Sequence, residues 1–359
     1  MKPILVVGAS VAGSTAANAL AQAGIPVILL ERDLTWVKPC GGALPPIAFS
    51  EFDLPERLIS RKVHRTLVHS PSDRVAEVVV AGLDNSGDAY VAMTRREDLD
   101  PFVRERAVAN GADLIEGKLV DLDVQPDGVV ATYRRKQDGT LHMLEAEVVI
   151  GADGAYSPTA KALGLPRLPR CVAIQERVYL PDNELDRWAD TAELYLGHDV
   201  SPDLYAWVFP KSDHLAIGCG AGSGNTADVR RLLTNLKRRV DPALADGDVF
   251  LTEAYALPMH PRPQIAFERA MLVGDAAGLV AGTSGEGIYW AMKSGQAPQK
   301  PSSTCCQTHR PPQPSSTTGP GGEYKTMYRF LRWLQSGATA TSARWRSSPT
   351  CVATRMSSS

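Results

Sequence analysis

The feature that most constrains the fold lies at the start of the chain. Ile4-Leu5-Val6-Val7 is a short apolar run, typical of a buried parallel strand, and it ends at Gly8. The alanine-rich segment from Ser14 to Ala23 predicts a helix that packs closely on a sheet. Gly24 ends this helix before a second strand from Val27 to Leu30. The order predicts the first strand–helix–strand unit of an α/β sheet.

The turn between that strand and helix has the chemistry of a phosphate-binding loop. Gly8 suits a tight turn, Gly13 lets the helix lie close to the strand, and the N–H groups that begin the helix favour a phosphate. Ser10 stands where a second glycine is usual. Glu31 ends the second strand, where a carboxylate accepts hydrogen bonds from ribose hydroxyls. The pattern predicts a dinucleotide site but does not distinguish FAD from NAD.

Two later motifs distinguish these cofactors. Asp153 follows an apolar strand in Val149-Ile150-Gly151-Ala152-Asp153-Gly154, and Asp275 does so in Leu272-Val273-Gly274-Asp275. A strand that ends in a glycine-flanked Asp can present its carboxylate to a sugar-like polyol. FAD has such a polyol in its ribityl chain, whereas NAD has none. Three ordered strand-end motifs therefore predict FAD.

Composition limits the other possibilities. A chain of 359 residues with 44% hydrophobic residues has room for two domains, or for one large α/β domain with an inserted layer. Its net charge of -2 provides no basic surface for nucleic acid. The N-terminus resembles no signal peptide, and no apolar run reaches the ~18 residues of a membrane span. Six cysteines and seven histidines without ligand spacing predict no metal site. We expect a soluble, cytoplasmic, reduced protein.

The remaining chain predicts mixed structure as far as residue 296. Residues 62–94 and 172–222 predict mainly strands, with turns at Ser70-Pro71 and Asn85-Ser86-Gly87 in the first stretch. Arg96 to Asn110 and Asp228 to Val240 predict helices, and Asp138-Gly139 predicts a hairpin turn.

Three segments and the motifs around them resemble one family. The chain is similar to the geranylgeranyl reductases of chlorophyll and bacteriochlorophyll synthesis, within the aromatic-hydroxylase group of flavoproteins. The resemblance covers residues 2–296 and is most specific at Lys38-Pro39-Cys40-Gly41-Gly42-Ala43-Leu44-Pro45, at Ser201-Pro202-Asp203-Leu204-Tyr205-Ala206-Trp207-Val208-Phe209-Pro210-Lys211, and at Ser284-Gly285-Glu286-Gly287-Ile288-Tyr289-Trp290-Ala291. Ser10 departs from the family only mildly, because small residues are tolerated there.

The resemblance implies a fold and a domain division. The fold is α/β, with a Rossmann-like, three-layer FAD-binding domain and an inserted, mostly antiparallel β-sheet substrate domain. Residues 1–60, 95–165 and 255–296 would form the FAD-binding domain. Residues 61–94 and 166–254 would form the substrate domain.

The resemblance also implies roles for individual residues. Glu31 and Arg104 would hold the ADP portion, and the backbone near Val120 would meet the adenine. Asp275 would bind the ribityl chain, with Gly285, Gly287 and Ile288 against the isoalloxazine ring. Asp153 would be structural around the cofactor, with a part in nicotinamide binding. The cofactor-binding set is completed by Gly8, Ser10, Gly13, Arg32, Cys40, Gly42 and Gly274, and the catalytic candidates are Cys40, Gly41, Tyr205 and Trp207.

The residues themselves leave some roles open. Cys40 and Gly41 would flank the flavin face where substrate enters, and Cys40 is either a proton donor or a small pocket residue. Tyr205 and Trp207 share one face of a strand, where they either line an isoprenoid slot or pack in the core. The backbone at Gly285-Glu286-Gly287 can donate N–H groups to the flavin N1–O2 edge. Glu286 itself either acts there or is a solvated turn carboxylate.

The predicted reaction is reduction of a geranylgeranyl chain to phytyl, with FAD and NADPH as cofactors. The substrate is geranylgeranyl diphosphate or a geranylgeranyl-(bacterio)chlorophyll ester, and a peripheral contact with the photosynthetic membrane would suit either lipidic group. The alternatives are a flavin monooxygenase on the same scaffold, an archaeal-type reductase of membrane lipids, and an inactive FAD-binding relic.

The relic alternative comes from the C-terminal region, residues 297–359. Residues 297–322 are rich in Pro, Ser, Thr and Gly, and residues 336–359 are rich in Ser, Thr and Ala, unlike the family. Such composition is typical of disordered linkers, which is one interpretation of these two segments. Read one frame over in degenerate codons, parts of them can spell family-like helices. We therefore hypothesise reading-frame shifts near residues 297, 323 and 336, which resequencing of the gene tests. Between them, Tyr324 to Gln335 predicts one amphipathic helix, which either packs in the core or rests on a membrane surface.

Overall fold

The computed structural model describes residues 2–296, apart from residues 46, 81–88, 223–227, 243, 245–247 and 283. Short 3-10 turns lie at Glu56–Leu58 and Asp186–Trp188. In chain order, the other elements of this part of the chain are β1 (Ile4–Val7), α1 (Val11–Gln22), β2 (Val27–Glu31), β3 (Ala43–Leu44), α2 (Ile47–Glu51), β4 (Ile59–Val63), β5 (Arg65–His69), β6 (Val75–Val79), β7 (Val91–Thr94), α3 (Arg96–Ala109), β8 (Asp113–Gln125), β9 (Gly128–Arg135), β10 (Leu141–Ala146), β11 (Val148–Gly151), α4 (Pro158–Ala162), β12 (Arg170–Val178), α5 (Asp182–Leu185), β13 (Thr191–Gly197), β14 (Ser201–Pro210), β15 (Leu215–Ala221), α6 (Val229–Val240), β16 (Val249–Pro258), β17 (Ala270–Leu272), α7 (Gly274–Ala277) and α8 (Ile288–Gly295).

The first sheet holds the N-terminal unit at its centre. Its strand order is β10-β9-β8-β2-β1-β11-β17, with parallel pairing from β8 to β17 and antiparallel pairing among β8, β9 and β10. Ile4 and Val6 face a core shared with Leu20 of α1 and Leu99 of α3. Leu5 lies on the opposite face, in a core shared with β9 and β10. This alternation places helices on one face of the parallel strands and the antiparallel strands on the other, in three layers.

The second sheet is mostly antiparallel. Its order is β16-β12-β15-β14-β13-β5-β6, and only the β13–β5 pair among these described strands is parallel. Helix α6 covers one face, where Leu232, Leu233 and Leu236 are buried. A third sheet has three strands in the order β3-β7-β4, and both of its strand pairs are antiparallel.

The predicted fold class is confirmed: an α/β FAD-binding fold with a separate antiparallel-rich sheet. The hairpin at Asp138-Gly139 is also confirmed, since β9 pairs with β10 across it and Gly139 has a φ of 71°. The helix predicted from Ser14 begins three residues earlier, at Val11. The domain boundaries stay a prediction.

Some predictions lie outside the described residues. These are the turn at residues 85–87, the helix at residues 324–335 and the reading-frame shifts near residues 297, 323 and 336.

Candidate functional site

The glycine turn after β1 is tightly packed. Gly8 has a φ of 100°, which favours glycine, and a Cβ at Gly13 would collide with the Gly8 carbonyl oxygen. The Glu31 carboxylate accepts a hydrogen bond from the Ala9 N–H at 2.6 Å, so the end of β2 is tied to the turn. Ser10 begins α1 but does not cap it with its hydroxyl. The first N–H groups of α1 are therefore left available to a phosphate.

The Ser10 hydroxyl instead joins the turn to α3. It donates to an Asp100 oxygen at 2.9 Å and accepts from the Arg96 guanidinium at 2.8 Å. Arg96 and Asp100 are buried and also bond to each other twice, at 2.6 and 2.7 Å. The serine that replaces a glycine thus belongs to a buried ionic cluster beside the phosphate-binding turn.

The residues predicted for the ADP portion lie around the loop after β2. The Arg104 guanidinium donates to the Leu34 carbonyl at 3.4 Å. Arg32 is exposed, and its guanidinium carbon lies 4.9 Å from the centroid of the Trp36 ring. Val120 is 52% exposed on β8, next to a register shift in its pairing with β9. None of these three residues lines the cavity described below, although Trp36 also contacts Tyr255, which does.

Asp153 is satisfied within its own turn. One carboxylate oxygen accepts from the Ser157 hydroxyl at 2.5 Å, and the other accepts from the Thr159 N–H at 2.7 Å. Burial raises the pKa of the Asp153 carboxyl, and these hydrogen bonds oppose the shift. This geometry fits a structural role for Asp153.

Asp275 lies in the first turn of α7, shortly after β17 ends at Leu272. Its carboxylate is buried and pairs with the Lys38 ammonium at 2.5 Å. Burial lowers the pKa of Lys38, but the Asp275 carboxylate and Tyr255 together raise it by more, so the net shift is upward. Gly274 has a φ of 55° and donates its N–H to the Ser294 hydroxyl at 2.9 Å, which fixes the turn against α8.

A cavity of about 550 Å³ extends from this turn to the second sheet. At one end it is lined by Val11, Asp275 and Ile288, and at the other by Leu194 and Leu204. Most of the lining between these ends is apolar. The predicted site residues that line it are Cys40, Gly41, Gly42, Tyr205, Trp207, Asp275, Gly285, Gly287 and Ile288.

The segment from Cys40 to Gly42 is held by buried polar groups. The Lys211 ammonium donates to the Gly41 carbonyl at 2.7 Å, and the Gln175 amide donates to the Cys40 carbonyl at 3.1 Å. The Gly42 N–H donates to the Cys40 sulfur at 3.3 Å. Burial lowers the pKa of Lys211 to about 7. The segment therefore has a defined position between the two large sheets.

Tyr205 and Trp207 lie on the same face of β14 and both line the cavity. Their ring centroids are 6.1 Å apart, in an edge-to-face arrangement. The indole rests on Gly218 of the neighbouring strand, where any Cβ would collide with it. Gly41 lies on the other side, since a Cβ there would be 3.3 Å from the indole nitrogen. Two glycines thus allow Trp207 to lie flat between strand and loop.

The loop before α8 closes one side of the cavity. Gly285 has a φ of 63°, and a Cβ there would have as its nearest neighbour the Tyr205 hydroxyl, at 3.9 Å. The Tyr205 hydroxyl donates to the Ser284 carbonyl. Glu286 is half-buried, and its carboxylate accepts from the Tyr289 N–H at 2.7 Å. The backbone of Gly285 therefore faces open space on the cavity side.

Comparisons with known proteins agree with this geometry. An FAD binding domain family matches residues 1–296. A geranylgeranyl diphosphate reductase from Synechocystis sp. is 43% identical over 298 residues, which are 81% of this chain and 72% of that protein. The chain belongs to the geranylgeranyl reductase family. It spans 64% of the length of a related chloroplastic geranylgeranyl diphosphate reductase from Oryza sativa subsp. japonica, which is 39% identical over 82% of this chain.

Two further similar proteins show how far along the chain the likeness extends and which fold it shares. A geranylgeranyl diphosphate reductase from Rhodobacter capsulatus is 32% identical over 92% of this chain and 82% of its own length, so the likeness extends beyond residue 296. The crystal structure of a geranylgeranyl bacteriochlorophyll reductase-like protein from Thermoplasma acidophilum matches with a TM-score of 0.72 and 25% identity, over 82% of this chain and 76% of that one.

FAD fits the residues of this family member. The uncapped start of α1 suits a pyrophosphate, the buried Asp275 carboxylate suits a polyol, and the space beside Gly285 suits a ring. The residues described here contain no group of three His, Cys, Asp or Glu side chains that could hold a metal ion. No helix among them is long and apolar enough to cross a membrane.

Sequence reasoning missed several residues of the site. Lys38 and Lys211 lie inside the quoted motifs but received no role, because nothing in a motif shows that a lysine is buried. Arg96 and Glu253 lie outside those motifs. Arg96 is preceded by a second arginine, Arg95, and the sequence alone does not indicate which of the two is buried.

Proposed function

We propose that this protein reduces the isolated double bonds of a geranylgeranyl chain, using FAD and NADPH. The observation that supports this most directly is the apolar cavity that extends from Asp275 and Ile288 to Leu194 and Leu204. A long hydrocarbon chain needs such a slot, because it offers the protein no polar group to bind. Relatives named geranylgeranyl diphosphate reductase are 43% and 39% identical to this chain over 81% and 82% of its length, which supports the same substrate class.

In the proposed FAD site, one group of the predicted residues holds the ADP portion of the cofactor, and Asp275 holds its ribityl chain. The start of α1, with Gly8 and Gly13, would receive the pyrophosphate, while Glu31 and Arg104 would bind the ADP portion. Asp275 would bind the ribityl hydroxyls after exchanging its bond with Lys38. Bound FAD supplies two-electron transfer to a carbon–carbon double bond. NADPH is proposed as the electron donor from the family resemblance.

The protein itself contributes by positioning the substrate and by excluding water from the cavity. An unactivated alkene develops no oxyanion, so the cavity has to hold the reacting double bond near the flavin and exclude water. Trp207 and Tyr205 would contact the chain from the second sheet, and Cys40 and Gly41 from the loop. Lys211 and Gln175 act through that loop, since their hydrogen bonds fix its carbonyls.

The proposal is tested by product mass. Purified, FAD-loaded protein is incubated without oxygen with NADPH and either geranylgeranyl diphosphate or a geranylgeranyl pigment ester. We expect stepwise gains of two hydrogens in one of these substrates, and none in a sample that lacks NADPH. NADPH oxidation with both substrates unchanged would contradict the proposal. Oxygen-dependent turnover would indicate a monooxygenase on the same scaffold instead.

A further inference from the structure

Among the described residues, three carboxyl groups line the cavity, and two of them form ion pairs with cationic side chains. Asp275 pairs with Lys38 at 2.5 Å. Glu253 pairs with Arg177 at 3.1 Å and also accepts from Gln175 at 2.6 Å. Glu286 has no ion pair among the described residues. Within the described part of the chain, Glu286 is therefore the cavity-lining carboxyl group without a cationic partner.

The surroundings of Glu286 favour its neutral form. Burial, aided by the negative charge of Asp275, raises the pKa of this carboxyl to about 7, against the N–H groups of Ile288, Tyr289 and Trp290. The titratable and charged groups around it are Asp275 of α7 with its partner Lys38, Tyr205 of β14, and Tyr289 of α8, whose hydroxyl bonds to Glu51 beside Lys293.

The other acid beside Glu286 is less suited to release a proton. Tyr205 interacts with both Glu286 and Cys40, and it already donates its hydroxyl to the Ser284 carbonyl. Burial raises the pKa of Tyr205 to about 12. Tyr205 can orient neighbouring groups, but at neutral pH a carboxylic acid gives up its proton far more readily.

We propose that Glu286 is the proton donor of alkene reduction and that it takes up this proton when the flavin is reduced. This assignment rests on the proposed function. The flavin N1–O2 edge would lie against Gly285 to Ile288, and it gains negative charge on reduction. That charge disfavours a carboxylate in the same loop, so Glu286 binds a proton from solvent.

The step is balanced in atoms and electrons. A nicotinamide donor passes a hydride to the flavin, and Glu286 takes one proton from water. One alkene carbon then receives the hydride from the flavin, while the other receives the proton as the Glu286 O–H bond breaks. The double bond becomes a single bond, the flavin is reoxidised, and Glu286 returns to its carboxylate form.

The potential of the bound flavin tests this assignment without turnover. The midpoint potential of FAD-loaded protein is measured against pH, just above pH 7, in the wild type, in Glu286→Gln and in Glu286→Asp. If Glu286 takes up a proton when the flavin is reduced, two protons accompany the two electrons. The midpoint potential then falls by about 60 mV per pH unit. Glu286→Gln removes one of these protons, so we expect about 30 mV per pH unit. Glu286→Asp keeps the acid and should keep the steeper slope over a shifted pH range.

Glu105→Gln is the matched control, because Glu105 is an exposed residue of α3, and it should keep the wild-type slope. In the product assay, we expect Glu286→Gln to lower kcat roughly 100-fold or more. Equal slopes in the wild type and Glu286→Gln would overturn the assignment, as would unchanged kcat in Glu286→Gln. Either result leaves the proposed function intact if the wild type still adds hydrogen to the chain. Absence of that product in the wild type would overturn the proposed function, whatever the slopes.

Discussion

A single buried lysine shows how much the surroundings of a residue decide. Lys211 is 3% exposed, and among the described residues its ammonium has one hydrogen-bond acceptor, the Gly41 carbonyl. An ammonium offers three donors, so this environment penalises the charged form. Arg177 and Arg95 add to the effect of burial, which lowers the pKa of Lys211 from an ordinary 10.5 to about 7. The free-energy cost of burying Lys211 should therefore depend on pH.

We expect Lys211→Met to change stability in a pH-dependent way. Between about pH 7 and 10.5 the unfolded chain holds a proton on Lys211 that the folded chain has lost, so wild-type stability rises across this range. Below pH 7 the unfolding free energy of the variant should exceed that of the wild type by on the order of a few kcal/mol. This difference should shrink as the pH rises above 7. Urea unfolding at several pH values measures it. Lys161→Met, which replaces an exposed lysine, is the control. Its unfolding free energy should differ from that of the wild type by the same amount at each pH. A constant difference for Lys211→Met would contradict the assigned environment.

At the scale of elements, the start of α3 is bonded to the glycine turn after β1. Arg96 and Asp100 are one helical turn apart, and both are bonded to Ser10 at the start of α1. Helices α1 and α3 also share an apolar core that includes Leu20 and Leu99. The buried ionic cluster thus determines how two helices meet at the place where the pyrophosphate would bind.

We expect Arg96→Met to cost about 3–5 kcal/mol of unfolding free energy, because it leaves the buried Asp100 carboxylate without its cation. It should also weaken FAD binding, since Ser10 loses a partner beside the turn. Arg95→Met is the control: Arg95 forms partly exposed pairs with Glu97 and Asp213, and its loss should cost about 1 kcal/mol or less. Urea unfolding and FAD titration measure both effects. Equal costs for the two variants would contradict the role of the cluster.

At the scale of the whole molecule, the cavity belongs to neither sheet alone. The first sheet contributes the turn at Asp275, and the second contributes inward-facing residues of β12, β13 and β14. Small residues on the second sheet, such as Ala173, leave room between the layers. The length of chain that the protein accepts should therefore depend on that sheet, while cofactor binding should not.

We expect Ala173→Leu to narrow the slot without affecting FAD affinity. It should lower kcat/KM for a geranylgeranyl substrate roughly 10-fold or more, and lower it less for a geranyl analogue that occupies only the end near the flavin. Thr252→Leu adds similar bulk at an exposed position of the neighbouring strand and should change neither value. Steady-state kinetics with both chain lengths checks this. An equal loss for both substrates would place the reactive double bond elsewhere.

The sequence by itself determined the parts of this protein that depend on local geometry. A tight turn at Gly8 and a close helix at Gly13 each need particular residues within a few positions, so they predict a dinucleotide-binding fold. The strand-end motifs at Asp153 and Asp275 then predict FAD. The alternation in β14 likewise predicts that Tyr205 and Trp207 share a face, which the cavity confirms. The hairpin at Gly139 follows from the same local rules.

Only the tertiary structure decided which polar residues are buried and what they face. Lys38, Lys211 and Arg96 read as ordinary basic residues in the sequence, yet each is enclosed by segments distant along the chain. Desolvation and ion pairing depend on that enclosure. They separate Asp275 and Glu253, which form ion pairs, from Glu286, which forms none within the described part of the chain. The sequence left Glu286 open between an active role and a solvated turn, because a pKa is a property of the surroundings and not of the residue alone.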